Sequence, residues 1–306
     1  MKNITAHQQT QSRLSGFRRR LRKQPRIAMM IRAVRAIIHF GPWRNVARAY
    51  IRMRHAPAAT VIVPISLLPN LDARSAARTV RRDSVCVVAS LPNTIIDDIR
   101  AVTDQLPPNE YGSFHEQHPA VQRLVNDAGV LAVARAYLGT EPVLLECNLV
   151  VQEAEENKRI GPTSQRRFHF DYAGWHSLNL FVYLTDVEAD SGAHQVVKGT
   201  HKHKNIRDAI RPSLDDHEVE RRFVNRIRTI AGPAGTSFFE DTEAFHRRLA
   251  VKHRRVMLNI LFASHRSAFS HGRLVKTHRE LVAMVAARRT TGDAELQSGE
   301  LAAPRA

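Results

Sequence analysis

The spacing of apolar residues changes near Gly139 and divides the chain into two textures. Upstream, apolar positions recur at helical spacing. Between Arg26 and Phe40, Ile27, Met30, Ile31, Val34, Ile37 and Ile38 share one face, and Arg32, Arg35 and His39 share the other. Gly41-Pro42 interrupts the pattern, and Pro42 is placed to start a second helix. In that helix Arg44, Arg48 and Arg52 form an i, i+4, i+8 stripe opposite Trp43, Val46, Tyr50 and Met53. TVIVPISLLP reads as a strand or an extended entry to the body, and DSVCVVAS as a strand. Helices are predicted from Pro92 to Leu106 and over 119–138, the second ending at Gly139.

Downstream, short β segments follow one another: EPVLLECNLVVQE, RRFHFD, SLNLFVYLTDV, HQVVKGTH, GTSFFE and VMLNILFAS, with HEVERRF as a helical insertion. Helices first and many short strands later predict an α+β domain built on a β-sandwich or barrel. The pattern divides into a basic amphipathic helical leader over 1–57, the β domain over 58–285 and a polar, disordered tail over 286–306.

Composition is ordinary for a globular chain, with 43% hydrophobic and 25% charged residues in 306 positions. Charge changes the picture. The formal net charge is +17, and no Asp or Glu precedes Asp72. Residues 1–71 hold 14 Lys and Arg, while the remaining 235 residues hold 32 against 29 acids. A near-neutral body argues against a broad nucleic-acid groove. The Arg-bearing amphipathic leader leaves open a peripheral contact with an anionic membrane through residues 13–55. An Arg-rich, acid-poor start is also a property of mitochondrial transit peptides. No run reaches 18 apolar residues, so no transmembrane helix is expected. Cys86 and Cys147 are too few for a disulfide framework or a cysteine-rich zinc site and fit a reducing compartment. A cytoplasmic protein is expected; the sequence says nothing about its oligomeric state.

Candidate chemistry centres on RRFHFDYAGW. In extended backbone, residues i and i+2 point the same way, so His169 and Asp171 face one pocket. An imidazole and a carboxylate so placed are two adjacent metal ligands. A second histidine would complete the two-His-one-carboxylate face of non-haem iron(II) oxygenases, which leaves positions open for other ligands. Downstream, AGPAGTSFFEDTEAFHRRLAVKHRRVMLNILFA carries a Gly-rich turn, an apolar strand and then His246, the candidate third ligand. Arg255, nine residues on, opens the next apolar strand. An open iron(II) site needs a co-substrate. If that is 2-oxoglutarate, its distal carboxylate needs a cation, and the guanidinium fork binds carboxylates in bidentate fashion. Arg254 competes with Arg255. Arg255 is preferred because it puts Met257 and Asn259 on the pocket side and Val256, Leu258 and Ile260 toward the apolar core. His201, His203, His253 and His265 read as incidental.

Taken in order, these segments resemble the phytanoyl-CoA dioxygenase family. The resemblance runs from about Asp83 to Ser264 and rests on HFD with Trp175 four residues on, SLNLFVYLTDV, SGAHQVVKGTHK, GPAGTSFFED and the distal histidine before an Arg-led strand. It implies a double-stranded β-helix (jelly roll, cupin-like) with flanking helices. It also implies that His169, Asp171 and His246 bind Fe(II), that Arg255 binds 2-oxoglutarate and that Tyr183 is the aromatic near the co-substrate. The activity implied is hydroxylation or another oxidation of a C–H bond in a small-molecule or acyl- or carrier-bound substrate. O2 is consumed, and succinate and CO2 are released. Asp171 fills the place that iron halogenases of related fold give to a small residue, which favours hydroxylation. Trp175 and Asn179 are candidates to line the substrate space. The alternatives are a non-catalytic jelly-roll protein that binds a ligand, and a nucleic-acid-associated oxygenase that uses the basic leader. No motif selects the substrate.

Overall fold

A computed structural model describes residues 25–41, 43–57, 66–154, 166–202, 204–211 and 213–265. The expectations for residues 1–24, for the 60–65 part of TVIVPISLLP and for the 286–306 tail lie outside the described residues. Helices α1 (Pro25–Phe40) and α2 (Arg44–Arg54) are the two that the leader pattern predicts. Helix α3 (Ala73–Asp83) has no counterpart in the sequence reading, because ARSAARTVRRD turns only Ala76, Ala77 and Val80 inward. Its start is fixed by the Asp72 carboxylate, which accepts from the Arg74 and Ser75 amides.

Helices α4 (Asn93–Thr103), α5 (Pro119–Val125) and α6 (Ala128–Leu138) follow. The single helix expected over 119–138 is therefore two, and Asp127 explains the break. Its carboxylate caps α6 by accepting from Val130 N at 2.9 Å, and it also accepts from Ser66 Oγ at 2.7 Å and Leu67 N at 2.8 Å. A continuous helix would forfeit that cap, which contributes about 1 kcal/mol. Gly139 ends α6 in the left-handed region, at φ 71°.

Among the described residues the strands of both sheets pair antiparallel. The larger sheet runs in the order β1 (Val85–Val88), β7 (Ser237–Glu240), β4 (Ser177–Tyr183), β9 (Arg255–Ala263), β3 (Val143–Gln152) and β2 (Asn109–Tyr111). The smaller one runs β6 (Ile227–Ile230), β5 (His194–Val197) and β8 (His246–Arg248). Two short helices, α7 (Ile206–Ile210) and α8 (Asp216–Arg222), fall between β5 and β6 in the chain.

Strands β4 and β9 are buried almost throughout, and their alternation sorts the two faces. Leu178, Leu180, Val182, Val256, Leu258, Ile260 and Phe262 pack with Val80, Ile96, Ile99, Val121, Val133 and Leu138 of the helices. The other parity, Phe181, Tyr183 and Met257, packs with Phe238 and with Val196 and Ile230 of the smaller sheet. The result is a double-stranded β-helix with one outer face covered by helices. Each large apolar side chain buried this way contributes on the order of 1.5–3 kcal/mol, so a one-residue slip that exchanged the faces is strongly disfavoured.

The leader helices are seated on the body with their polarity the reverse of a simple amphipathic reading. Ala36, His39, Arg44 and Ile51 are buried, and the Phe40 ring lies against Phe170 and Tyr172. Met30, Val34, Ile37, Val46, Tyr50 and Met53 are exposed. The reason is electrostatic: the buried carboxylate of Glu243 draws Arg44 and Arg48 inward. Among the described residues no helix is long and apolar enough to cross a membrane.

Candidate active site

The segment RRFHFD is not a regular strand. It is docked onto the β7–β8 stretch by isolated contacts. His169 and His246 exchange backbone hydrogen bonds of 2.9 and 2.8 Å, and Asp171 N donates to Thr242 O at 2.9 Å. His169 and Asp171 thus meet His246 because both sit against the loop that leads into β8. One donor atom each from His169, Asp171 and His246 lie within 4.8 Å of one another. His246 Nε2 is 3.5 Å from Asp171 Oδ2.

Both imidazoles are oriented by their other nitrogen. His169 Nδ1 is 2.9 Å from Arg167 O, and His246 Nδ1 is 3.0 Å from Ala244 O. A carbonyl only accepts, so each Nδ1 carries a proton and each Nε2 is the nitrogen left for a cation. Burial disfavours charge on both rings. At His169 burial prevails, aided by His246, and the pKa falls to about 4. At His246 burial is outweighed by Asp171, Glu240 and the Ala244 carbonyl, and the pKa rises to about 9. Without a cation, a protonated His246 faces the Asp171 carboxylate at 3.5 Å in the place where a metal would bind. Two neutral-capable nitrogens and a carboxylate oxygen suit iron(II).

These residues border a cavity of about 180 Å³, whose opposite wall includes Arg255, Met257 and Asn259 of β9. Arg255 is 2% exposed. Its Nη1 donates to Gln152 Oε1 at 3.1 Å, its Nη2 lies 3.0 Å from Met257 Sδ, and its guanidinium lies 5.4 Å from the Tyr183 ring centroid. Its Nε has no partner, and among the described residues no carboxylate pairs with it. Burial is the largest influence on it and lowers its pKa. Room for the side chain comes from Gly192, at φ 73°, where a Cβ would stand 2.7 Å from Arg255 Cδ. Arg254 points the other way. It pairs with Glu153 and donates to Thr103 O at 2.9 Å and Leu106 O at 2.8 Å, which ties β9 to the end of α4.

The remaining sequence candidates separate. Asn179 lines the cavity, donates to Asn259 Oδ1 at 2.7 Å and accepts from Thr242 Oγ1 at 3.2 Å. Tyr183 is fully buried, its hydroxyl donating to Ile230 O at 2.9 Å and accepting from His194 N at 3.1 Å, so it supports Arg255 from beneath. Trp175 is not part of the cavity wall. Its ring lies 5.4 Å from His39 of α1, and its carbonyl accepts from Arg48 Nε at 2.7 Å, because the leader covers that side. His201, His253 and His265 do not line the cavity, and His203 lies outside the described residues.

Two polar residues at the site escaped the sequence reading. Glu240 is fully buried, with Oε2 2.7 Å from His194 Nε2 and Oε1 3.9 Å from His246 Nδ1. The His194 ring stacks on His246 at 5.4 Å and 16°. Alternation could have found both. Glu240 shares its parity with Phe238, and His194 shares its parity with Val196, so each is a polar residue at an inward position. The loop before His246 is also held by the leader and by the segment that follows β5. Arg44 pairs with Glu243, Arg48 Nη2 lies 3.5 Å from the same carboxylate, and Lys204 donates to Glu243 O while its ammonium sits 4.4 and 4.3 Å from the Phe170 and Phe245 ring centres.

Comparison with known proteins follows the same lines. A family model described as phytanoyl-CoA dioxygenase matches residues 95–250. Among solved structures, the chain is similar to the non-heme alpha ketoglutarate dependent epimerase SnoN from nogalamycin biosynthesis, at 17% identity and a TM-score of 0.49, covering 62% of this chain and 82% of that one. It is similar to HygX from Streptomyces hygroscopicus with nickel and 2-oxoglutarate bound, at 14% identity and a TM-score of 0.48, covering 65% and 89%. It is similar to EctD from S. alaskensis in its apoform, at 20% identity and a TM-score of 0.48, covering 68% and 80%. No curated relative matches the chain.

Proposed function

The chain belongs to the phytanoyl-CoA dioxygenase family of non-haem iron(II)- and 2-oxoglutarate-dependent oxygenases, and from that premise we propose that His169, Asp171 and His246 hold the iron and Arg255 receives the distal carboxylate of 2-oxoglutarate. The reaction proposed is hydroxylation of a C–H bond. Substrate, O2 and 2-oxoglutarate go to hydroxylated substrate, succinate and CO2. The observation that carries this reading is the convergence of three ligand atoms from His169, Asp171 and His246 within 4.8 Å, in the same cavity as a buried guanidinium that pairs with no carboxylate among the described residues.

Iron, when bound, supplies O2 activation and the positions at which the co-substrate chelates. The rest falls to the chain's own side chains. The Arg167 and Ala244 carbonyls fix the two imidazole planes. Asp171 faces His246 Nε2 at 3.5 Å and supplies the one carboxylate of the ligand set. Arg255, held at 2% exposure by Gln152, Met257 and Tyr183, offers its fork to a carboxylate and so sets which end of the co-substrate enters first. The amides of Asn179 and Asn259, already bonded to each other, border the space left for the substrate. The side-chain polarity there suits a substrate with hydrogen-bonding groups near the oxidised carbon.

Two measurements test the reading together. Anaerobic iron(II) titration and O2-dependent succinate formation are followed for the parent protein and for His169→Ala, Asp171→Ala and His246→Ala. Each variant should stay folded, lose stoichiometric iron and make no succinate. If His246→Ala retains full turnover, the third ligand is a different residue. If the parent protein binds 2-oxoglutarate and iron but never makes succinate with any small molecule offered, the non-catalytic alternative holds.

A further inference from the structure

We propose that the outward face of α1 and α2 docks on an anionic lipid surface. The inference does not depend on the oxygenase chemistry, and its experiment can fail without touching that reading. On α1, Met30, Val34 and Ile37 stand at i, i+4 and i+7 and are 61%, 50% and 47% exposed. On α2 and just before it, Trp43, Val46, Tyr50 and Met53 are 42%, 70%, 53% and 76% exposed. Elsewhere among the described residues the exposed large apolar side chains are Val87, Val102 and Val224, scattered singly. Isolated exposed valines need no explanation, whereas apolar residues repeating along one face of two successive helices do.

The body does not need this face. Its contacts with the leader are made by the opposite one, through Ala36, His39, Phe40, Arg44, Arg48 and Ile51. What covers the outward face is indicated by charge. Residues 1–71 carry 14 Lys and Arg and no acid, and Arg54 of α2 is exposed beside the stripe, its guanidinium against Tyr50. A second copy of the chain would bring the same positive charge and be repelled. A bilayer with anionic headgroups offers the complementary charge and an apolar layer beneath it. Each Lys or Arg near such a surface adds an attraction that salt weakens, and apolar side chains between them enter the acyl boundary. Trp43 and Tyr50 are the residue types that settle at that depth. Neither helix is a candidate to cross the bilayer, so the contact lies in the plane of the surface.

The test uses the full chain. It is co-sedimented with vesicles of phosphatidylcholine containing phosphatidylglycerol, and with vesicles of phosphatidylcholine alone, at low and high salt. Parent protein is compared with Val46→Glu/Met53→Glu and with the milder Val46→Ser/Met53→Ser, all of one melting temperature. The parent should bind the anionic vesicles and release with salt. The Ser pair should bind about tenfold more weakly, through lost apolar burial, and the Glu pair more weakly still. If the Ser pair partitions like the parent, the basic leader alone makes the contact and the stripe proposal fails. It fails too if the parent binds neither vesicle, or if light scattering shows a dimer that the Glu pair abolishes, since the face is then covered by a second copy.

Discussion

Replacing Arg255 with Met is expected to move stability and co-substrate binding in opposite directions. In the ligand-free protein the guanidinium is 2% exposed, has one amide acceptor at 3.1 Å and a thioether at 3.0 Å, and has no carboxylate partner among the described residues. A buried charge so poorly compensated is a cost that folding carries. Exchanging buried charges for apolar residues of similar volume is neutral or stabilising by about 1–4 kcal/mol in other proteins. Arg255→Met should therefore leave the ligand-free melting temperature unchanged or raise it by a few degrees. For 2-oxoglutarate the same change removes the buried fork proposed to receive its distal carboxylate. Loss of a buried, hydrogen-bonded charge partner costs about 2–5 kcal/mol, so affinity should fall roughly thirty-fold to several thousand-fold. Thermal melts of parent and variant over a 2-oxoglutarate titration, with Mn(II) in place of iron, read both effects. The parent's melting temperature should climb with ligand while the variant's stays flat. Arg254→Ala should keep the ligand response and lose stability, because it unties β9 from α4. A variant that melts lower than the parent yet binds 2-oxoglutarate within threefold would refute the reasoning and make Arg255 a structural residue.

Two further outcomes can be checked. In chelator-treated protein, His246, raised to about 9, contributes stability that is full below its ordinary value of 6.5 and is lost as pH climbs to 9, while His169, lowered to about 4, withdraws stability as pH falls from 6.5 to 4. Urea midpoints should thus peak near pH 6.5, and Mn(II) should flatten the alkaline limb by replacing the His246 proton; a midpoint that rises steadily from pH 6.5 to 9 without metal would contradict this. Arg44→Met should destabilise by about 3 kcal/mol by stranding the buried Glu243, less what Arg48 at 3.5 Å recovers, and adding Glu243→Gln should restore part of it. Strict additivity in that cycle would mean the ion pair is not what seats the leader.

The candidate site was legible where period and chemistry coincide. His169, Asp171 and His246 stand in segments whose order resembles one family, and β9 alternates so cleanly that Met257 and Asn259 separate from Val256, Leu258 and Ile260. Three features were not legible, each for a physical reason. Helix α3 buries two alanines and a valine, too little apolar volume to show a period. The break between α5 and α6 depends on Asp127 meeting Ser66 and Leu67, a contact across 60 positions that no local pattern contains. The leader's orientation follows from Glu243, which no helical wheel of residues 26–54 can reveal.

The pairing of Arg44 with Glu243 spans 199 positions of sequence, and that separation bears on how the chain is made. At roughly 5–20 residues per second, Arg44 is polymerised about 10–40 s before Glu243, and for most of that interval the leader is outside the ribosome without its counterpart. For that interval a cationic helix pair has neither face covered: the face destined for Glu243 is as bare as the one that stays outward. The leader helices, made before every other described element, are thus among the last to be locked, and the nascent chain meets chaperones, ribosomal RNA and membranes with both their faces bare. Substitutions in the 241–246 loop would lengthen this exposure as well as disturb the site, so a loss of soluble yield would accompany a loss of turnover.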